Sequence, residues 1–229
     1  MFVSEKMAKN VITIGPDTKL SDVRELMVKN NIRHIPVVDD EGLLIGIVSD
    51  RDMRSAMPSS LLKKEDYEKT LAMVMEHTAR EIMTENPLTI SVYYTIQDTL
   101  LVMRQKRVGA LPVIDEQGYL KGILSTRDLL SSFVNVMGIG EPGTLLCILA
   151  KEQQGQLKKI IDIITEEKIS LGSVLVSRTW DTNKKAIFPY LLTNNVANVK
   201  RRLLEADFTL FDPMQWYLDQ MPKTPDLLL

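Results

Sequence analysis

The sequence predicts an α/β protein made of two copies of one small unit, followed by a third unit of different pattern. Three observations carry this. The stretch Gly46–Met53, GIVSDRDM, returns as GILSTRDL at Gly122–Leu129. The recurrence belongs to a longer gap-free match, in which residues 5–53 lie over 81–129 at an offset of 76. After the turn-rich GIGEPG at 138–143 the texture changes to a fresh alternation of strand and helix patterns.

Composition sets the outer bounds. The chain has 229 residues, 45% hydrophobic and 25% charged, enough apolar material for a sizeable globular core. A formal net charge of −2 argues against nucleic-acid and membrane-surface binding. The one basic cluster, Lys200-Arg201-Arg202, falls in a helical pattern and reads as a solvated face. A single cysteine, Cys147, leaves no intrachain disulfide and fits a reducing cytoplasm. The first residues carry no secretory-signal pattern, and the longest apolar run, 145–150, is far short of the roughly 20 residues of a membrane span.

Each copy has the same order of elements. A short extended piece, VITI or PLTI, comes first. A helix follows, marked in one copy by Leu20, Val23, Met27 and Asn30 on one face, and in the other by Ile96, Leu100 and Met103. Two apolar strands come next, HIPVVD and LLIGIVS or ALPVID and YLKGILS, joined by a turn at Gly42 or Gly118. A second helix starts at Ser-x-Arg-Asp. One copy alone is too small to cover both faces of its sheet, and two packed together solve that. The copies span 1–57 and 81–137. Between them, 58–80 forms a helical insert in which Pro58-Ser59-Ser60 breaks one helix and caps the next. Its Met73 and Met75 read as packing residues, and His77 has no partner in sight.

Beyond the 138–143 linker, residues 144–213 read as strand TLLCILA, a helix marked by Leu157, Ile160, Ile161 and Ile164, and strand SLGSVLVSRT. A turn at WDTNK leads to strand AIFPYLLT, a helix marked by Val196, Val199 and Leu203, and strand FTLF. Pro189 lacks a donor, which places AIFPYLLT at a sheet edge. This βαββαβ order is the ferredoxin-like motif. Residues 214–229 form a tail.

The repeated motif supports two readings. Ser49 with Asp52, and Ser125 with Asp128, match a capping box, which explains Ser and Asp without any ligand. Capping does not demand Arg51 and Arg127, since a cation in the first helical turn is mildly unfavourable. A nucleotide cleft explains all three residue types. A guanidinium grips phosphate oxygens, free N–H groups at a helix start favour anions, and a carboxylate accepts from ribose hydroxyls.

The stretches RHIPVVDDEGLLIGIVSDRD at 33–52 and GALPVIDEQGYLKGILSTRD at 109–128 resemble a tandem pair of cystathionine-β-synthase (CBS) domains. The family hallmark is a glycine, two apolar residues, Ser or Thr, two residues and Asp, and both copies keep it. The resemblance implies a module with two clefts that bind adenosine derivatives (AMP, ADP or ATP, with S-adenosylmethionine as a further candidate). It assigns Asp52 and Asp128 to ribose, Ser49 and Ser125 to ribose or phosphate, and Arg51 and Arg127 to phosphate. It adds His34 at the adenine edge and the aligned Thr13 and Thr89. Arg33-His34 stands where the second copy has Gly109-Ala110, so the two clefts are expected to differ in affinity. Residues 144–213 resemble the amino-acid-sensing ACT domain, with Gly155 in the candidate ligand loop. The domain order resembles the bacterial acetoin-utilisation B proteins, which implies a role in acetoin breakdown.

The expected function is that of a cytoplasmic regulatory sensor, a homodimer, acting on a partner the sequence does not identify. The alternatives are an interaction module with empty clefts and an enzyme. Cys147 sits in an apolar strand, there are two histidines in all, and no spacing suggests a metal site, so neither a catalytic cofactor nor a catalytic residue is expected.

Overall fold

A computed structural model of the chain describes residues 1–181 and 184–211. After a short α1 (Val3–Lys6), the first repeat builds α2 (Leu20–Asn30), which buries Leu20, Val23 and Met27 as the pattern requires. The helix ends where Asn31 turns left-handed at φ 51°. β1 (His34–Val38) and β2 (Leu44–Ser49) then pair antiparallel, His34 opposite Ser49. Their turn places Gly42 at φ 85°, while the Asp39 carboxylate accepts the N–H groups of Glu41 and Leu43. α3 (Asp50–Ala56) follows at once, and α4 (Lys64–Met75) forms the insert helix.

The insert departs from expectation in three ways. The N-cap of α4 is Lys63, without a side-chain bond. Ser59 instead closes a turn ahead of the helix, accepting from Leu61 N–H at 3.3 Å and, through its carbonyl, from Leu62 N–H at 3.1 Å. Packing on the repeat core falls to Val74, while Met73 is 70% exposed. His77 does have a partner, since its Nδ1 lies 2.5 Å from Glu81 Oε2 one turn on.

β3 (Thr84–Glu85) lies at the start of the second repeat in sequence, yet it pairs with β2 of the first, Ile47 opposite Thr84. The second repeat continues with β4 (Ile90–Ser91), α5 (Ile96–Lys106), β5 (Ala110–Ile114), β6 (Leu120–Ser125) and α6 (Thr126–Met137). β4, β5 and β6 form its sheet, and the counterpart of β3 on the outer side of β6 comes from the first repeat. Ala8 and Ile123 exchange backbone bonds of 2.9 and 3.0 Å, and Val3 is fully buried in the second core beside Ile96 and Leu111. The two repeats thus trade their opening segments. This explains the glycine of the motif: a Cβ on Gly46 would strike the Met83 sulfur, and one on Gly122 would sit 2.9 Å from the Ala8 carbonyl oxygen, against Met7 as well. The two glycines are aligned at the repeat offset, and so are the two methionines.

The chain divides into two compact units, Met1–Leu130 and Ser131–Leu229, the division falling inside α6. The second contains β7 (Thr144–Leu145), β8 (Ile148–Lys151), α7 (Gln156–Glu166), β9 (Leu171–Asp181), β10 (Lys184–Leu191), α8 (Ala197–Glu205) and β11 (Thr209–Leu210). TLLCILA therefore breaks into β7 and β8. The sheet runs β11-β8-β10, with β9 on the far side of β10 and β7 beside the end of β10. Ile160 and Ile164 of α7 and Val199 and Leu203 of α8 join Ile148, Ile187 and Leu191 in its core. β10 is central, which corrects the edge placement. Pro189 is tolerated because its carbonyl accepts from Leu146 at 3.0 Å, in the break between β7 and β8. In antiparallel pairing N–H and C=O of a residue point the same way, so the missing donor faces that break. Residues 182–183 of the expected turn, the last two residues of 144–213 and the tail 214–229 lie outside the described residues. The basic cluster lies on α8, where Arg201 pairs with Glu205 at 2.7 Å and Arg202 clamps Glu166 and Glu167.

Candidate functional site

Each Ser-x-Arg-Asp motif sits where a strand passes directly into a helix. Ser49 closes β2, and its N–H and hydroxyl both donate to Asp52 Oδ2, at 2.8 and 2.6 Å. Asp52 N–H returns a bond to Ser49 Oγ at 3.3 Å. The second copy repeats this with 2.8, 2.5 and 3.4 Å between Ser125 and Asp128. The capping box is thus formed twice, and in each it engages the same carboxylate oxygen. Oδ1 of Asp52 makes no hydrogen bond among the described residues, so capping and ligand binding are compatible uses of one side chain. Each helix start is pinned to the other end of the hairpin: Asp50 N–H donates to Arg33 O at 2.9 Å, Thr126 N–H to Gly109 O at 3.0 Å.

Two clefts open at these junctions. The first, of about 410 Å³, sets Ser49, Arg51 and Asp52 against Arg107 and Gly109 of the second repeat. The second, of about 230 Å³, sets Ser125, Arg127 and Asp128 against Asn31, Arg33 and His34 of the first. Both are composite, with one repeat supplying the motif and the other a wall. Each also takes a residue of the exchanged segments, Thr84 in the first and Ala8 in the second.

His34 lines both clefts, packed on Gly109, where a Cβ would come within 3.2 Å of its Cε1. The unequal pairs Arg33-His34 and Gly109-Ala110 therefore fit one another: the small pair leaves room for the large one. Burial holds the His34 imidazole below its ordinary value against the pull of Asp52 and Asp50, while Arg33 and Arg51 push the same way as burial.

The clefts gather Ser49, Arg51, Asp52 and His34 on one side and Ser125, Arg127, Asp128 and again His34 on the other. Thr13 and Thr89 are not among the residues that line either cleft. The segment exchange brings Ala8 and Thr84 to the clefts instead, five residues earlier in each copy. Arg107 and Asn31 were missed; their signal was their shared position three residues before the strand of the clefts' wall. In the second unit Gly155 is the N-cap of α7 at φ 84°, a conformation that by itself calls for glycine. Cys147 is buried, and burial pushes its thiol up. Among the described residues no group of three His, Cys, Asp or Glu is placed to hold a metal ion, and no helix is long and apolar enough to cross a membrane.

Two interlocked α/β repeats with a cleft at each strand-to-helix junction define a paired-repeat binding module. The family model for the CBS domain matches residues 3–59 and 79–135. A CBS domain-containing protein of Dictyostelium discoideum is 36% identical over 137 residues, covering 60% of this chain and 94% of that protein. The chain belongs to the CBS domain family. It is also 33% identical to an inosine-5'-monophosphate dehydrogenase of Aquifex aeolicus, but the match spans 54% of this chain and only 23% of the dehydrogenase. Among solved structures, a Vibrio cholerae protein provisionally described as an acetoin utilization protein superposes with a TM-score of 0.51 at 25% identity, over 62% of this chain and 98% of that one.

Proposed function

We propose that this protein is a cytoplasmic regulatory sensor that binds adenine nucleotides in its two CBS clefts, without catalytic chemistry of its own. The observation that carries the reading is the duplicated arrangement itself. In both copies a carboxylate engaged by the serine of its own cap stands beside an arginine at the mouth of a composite cleft. Ribose hydroxyls suit the carboxylate and phosphate suits the guanidinium. Because each cleft has walls from both repeats, filling it favours one packing of the pair over another, which is what a sensor needs.

The sheet order of the second unit, with its βαββαβ sequence of elements, supports a ferredoxin-like, ACT-like domain that senses an amino acid at the loop around Gly155. Assembly as a homodimer belongs to the same proposal. So does a place in acetoin utilisation, on the strength of the domain order and the likeness to the Vibrio protein. Calorimetry of the full chain with AMP, ADP, ATP and S-adenosylmethionine tests the central claim. Binding at up to two sites per chain, weakened in turn by Asp52→Asn and Asp128→Asn, is expected. A flat titration with all four refutes it and leaves an interaction module with empty clefts. Small-angle scattering checks the dimer.

A further inference from the structure

The two clefts are unequal in a way that bears on their ligands. Resting on the nucleotide reading above, we infer that the cleft at Asp52 takes nucleoside di- or triphosphates, the cleft at Asp128 takes the monophosphate or a lesser charge, and Arg107 sets the difference.

Residue 107 is the repeat counterpart of Asn31, and each lines the cleft that faces the other repeat's motif. Arg51 has its counterpart in Arg127, and Arg33 lines both clefts, so Arg107 is the guanidinium group that the second cleft lacks in that place; among the described residues neither Arg51 nor Arg107 is in an ion pair. Arg54 also lines it but is already paired with Asp50 at 2.9 Å. In the second cleft the corresponding position offers a neutral amide. Arg127 there is directed to the Asn31 backbone, its Nη1 3.5 Å from the carbonyl oxygen. The first cleft is also the larger, at about 410 against about 230 Å³. More volume and an additional unpaired cation suit a longer, more highly charged phosphate chain.

A second observation is independent of the clefts. Both positions are helix C-caps in the left-handed region, Asn31 at φ 51° and Arg107 at φ 55°. Asparagine adopts that conformation readily and arginine does not. The second repeat thus keeps an arginine where the backbone favours the residue the first repeat has. A locally unfavourable side chain facing a cleft is the pattern expected of a binding residue.

The test uses the full chain with one cleft weakened at a time. In Asp128→Asn the remaining cleft should bind ATP at least tenfold more tightly than AMP. In Asp52→Asn the remaining cleft should bind AMP at least as tightly as ATP. Adding Arg107→Asn to Asp128→Asn should remove the ATP preference, leave adenosine binding within twofold, and keep the fold, since asparagine is what the equivalent cap already carries. The reciprocal Asn31→Arg, added to Asp52→Asn, should create an ATP preference in the second cleft. Equal ATP-to-AMP ratios in the two clefts, or a ratio untouched by Arg107→Asn, overturns this inference while nucleotide binding stands. No binding of adenosine, AMP or ATP by the unaltered chain overturns the nucleotide reading itself, and this one with it.

Discussion

Replacing Gly122 by alanine should uncouple the N-terminal segment from the second repeat. The new Cβ would lie 2.9 Å from the Ala8 carbonyl oxygen and against the Met7 side chain. Met7 can move, but the carbonyl belongs to a backbone held by the paired bonds between Ala8 and Ile123. Losing those two bonds costs about 1 kcal/mol each, net. If Val3 also leaves the core, where it is fully buried, about 1.5–3 kcal/mol more is lost. The expected destabilisation is therefore about 2–5 kcal/mol. Gly46→Ala is the control. There the three nearest atoms to the Cβ all belong to the Met83 side chain, whose end can rotate away, and the loss should be about 1 kcal/mol. Urea unfolding of the full chain, read at the midpoint with unchanged slope, measures both. Hydrogen exchange at residues 3–8 should rise in Gly122→Ala and stay low in Gly46→Ala. If Gly122→Ala unfolds at the unaltered midpoint, or Gly46→Ala is the worse of the two, the account of the motif glycine is wrong.

Two further outcomes are expected. Ser49→Ala and Ser125→Ala remove a hydroxyl that both donates to and accepts from the paired aspartate, and each should cost about 1 kcal/mol of ligand-free stability by thermal melting. An unchanged melt would mean the caps contribute nothing. His34, held below its ordinary value mainly by burial, binds fewer protons folded than unfolded in the window just below its unfolded value near 6.5. Its contribution is present above that value and is lost as pH falls through the folded one. Stability of the unaltered chain should fall across that window, and His34→Gln should flatten that part of the profile. A profile unchanged by the substitution would show that His34 titrates alike in both states.

The repeat, the hairpins, their turns at Gly42 and Gly118 and the capping boxes were all legible in the sequence, because each depends on residues close together in the chain. What was hidden depends on pairing at a distance. A repeat aligned on itself looks the same whether Met7 packs on its own copy or on the other, so the exchange of opening segments, and with it the arrival of Ala8 and Thr84 at the clefts, could not be read from spacing. Thr13 and Thr89 stand outside the cleft linings for that reason. Pro189 misled because the rule for proline concerns the side of the strand its nitrogen faces, and a break in the neighbouring strand satisfies the rule within a sheet interior. The asymmetry of Arg33-His34 and Gly109-Ala110 was visible as a difference; that the two fit together needed the third dimension.

The exchanged segments carry a consequence for how the chain assembles. During synthesis the first repeat emerges with its hairpin complete but without β3, which follows more than thirty residues after β2. Ala8, meanwhile, waits for Ile123, a loop of well over a hundred residues whose closure entropy must be met before that contact forms. Such long-range pairings slow folding, and they leave a half-made sheet edge exposed until the second repeat is out. Neither repeat is then an autonomous folding unit. In a polypeptide cut between them, after residue 57, each repeat should fold only in the presence of the other.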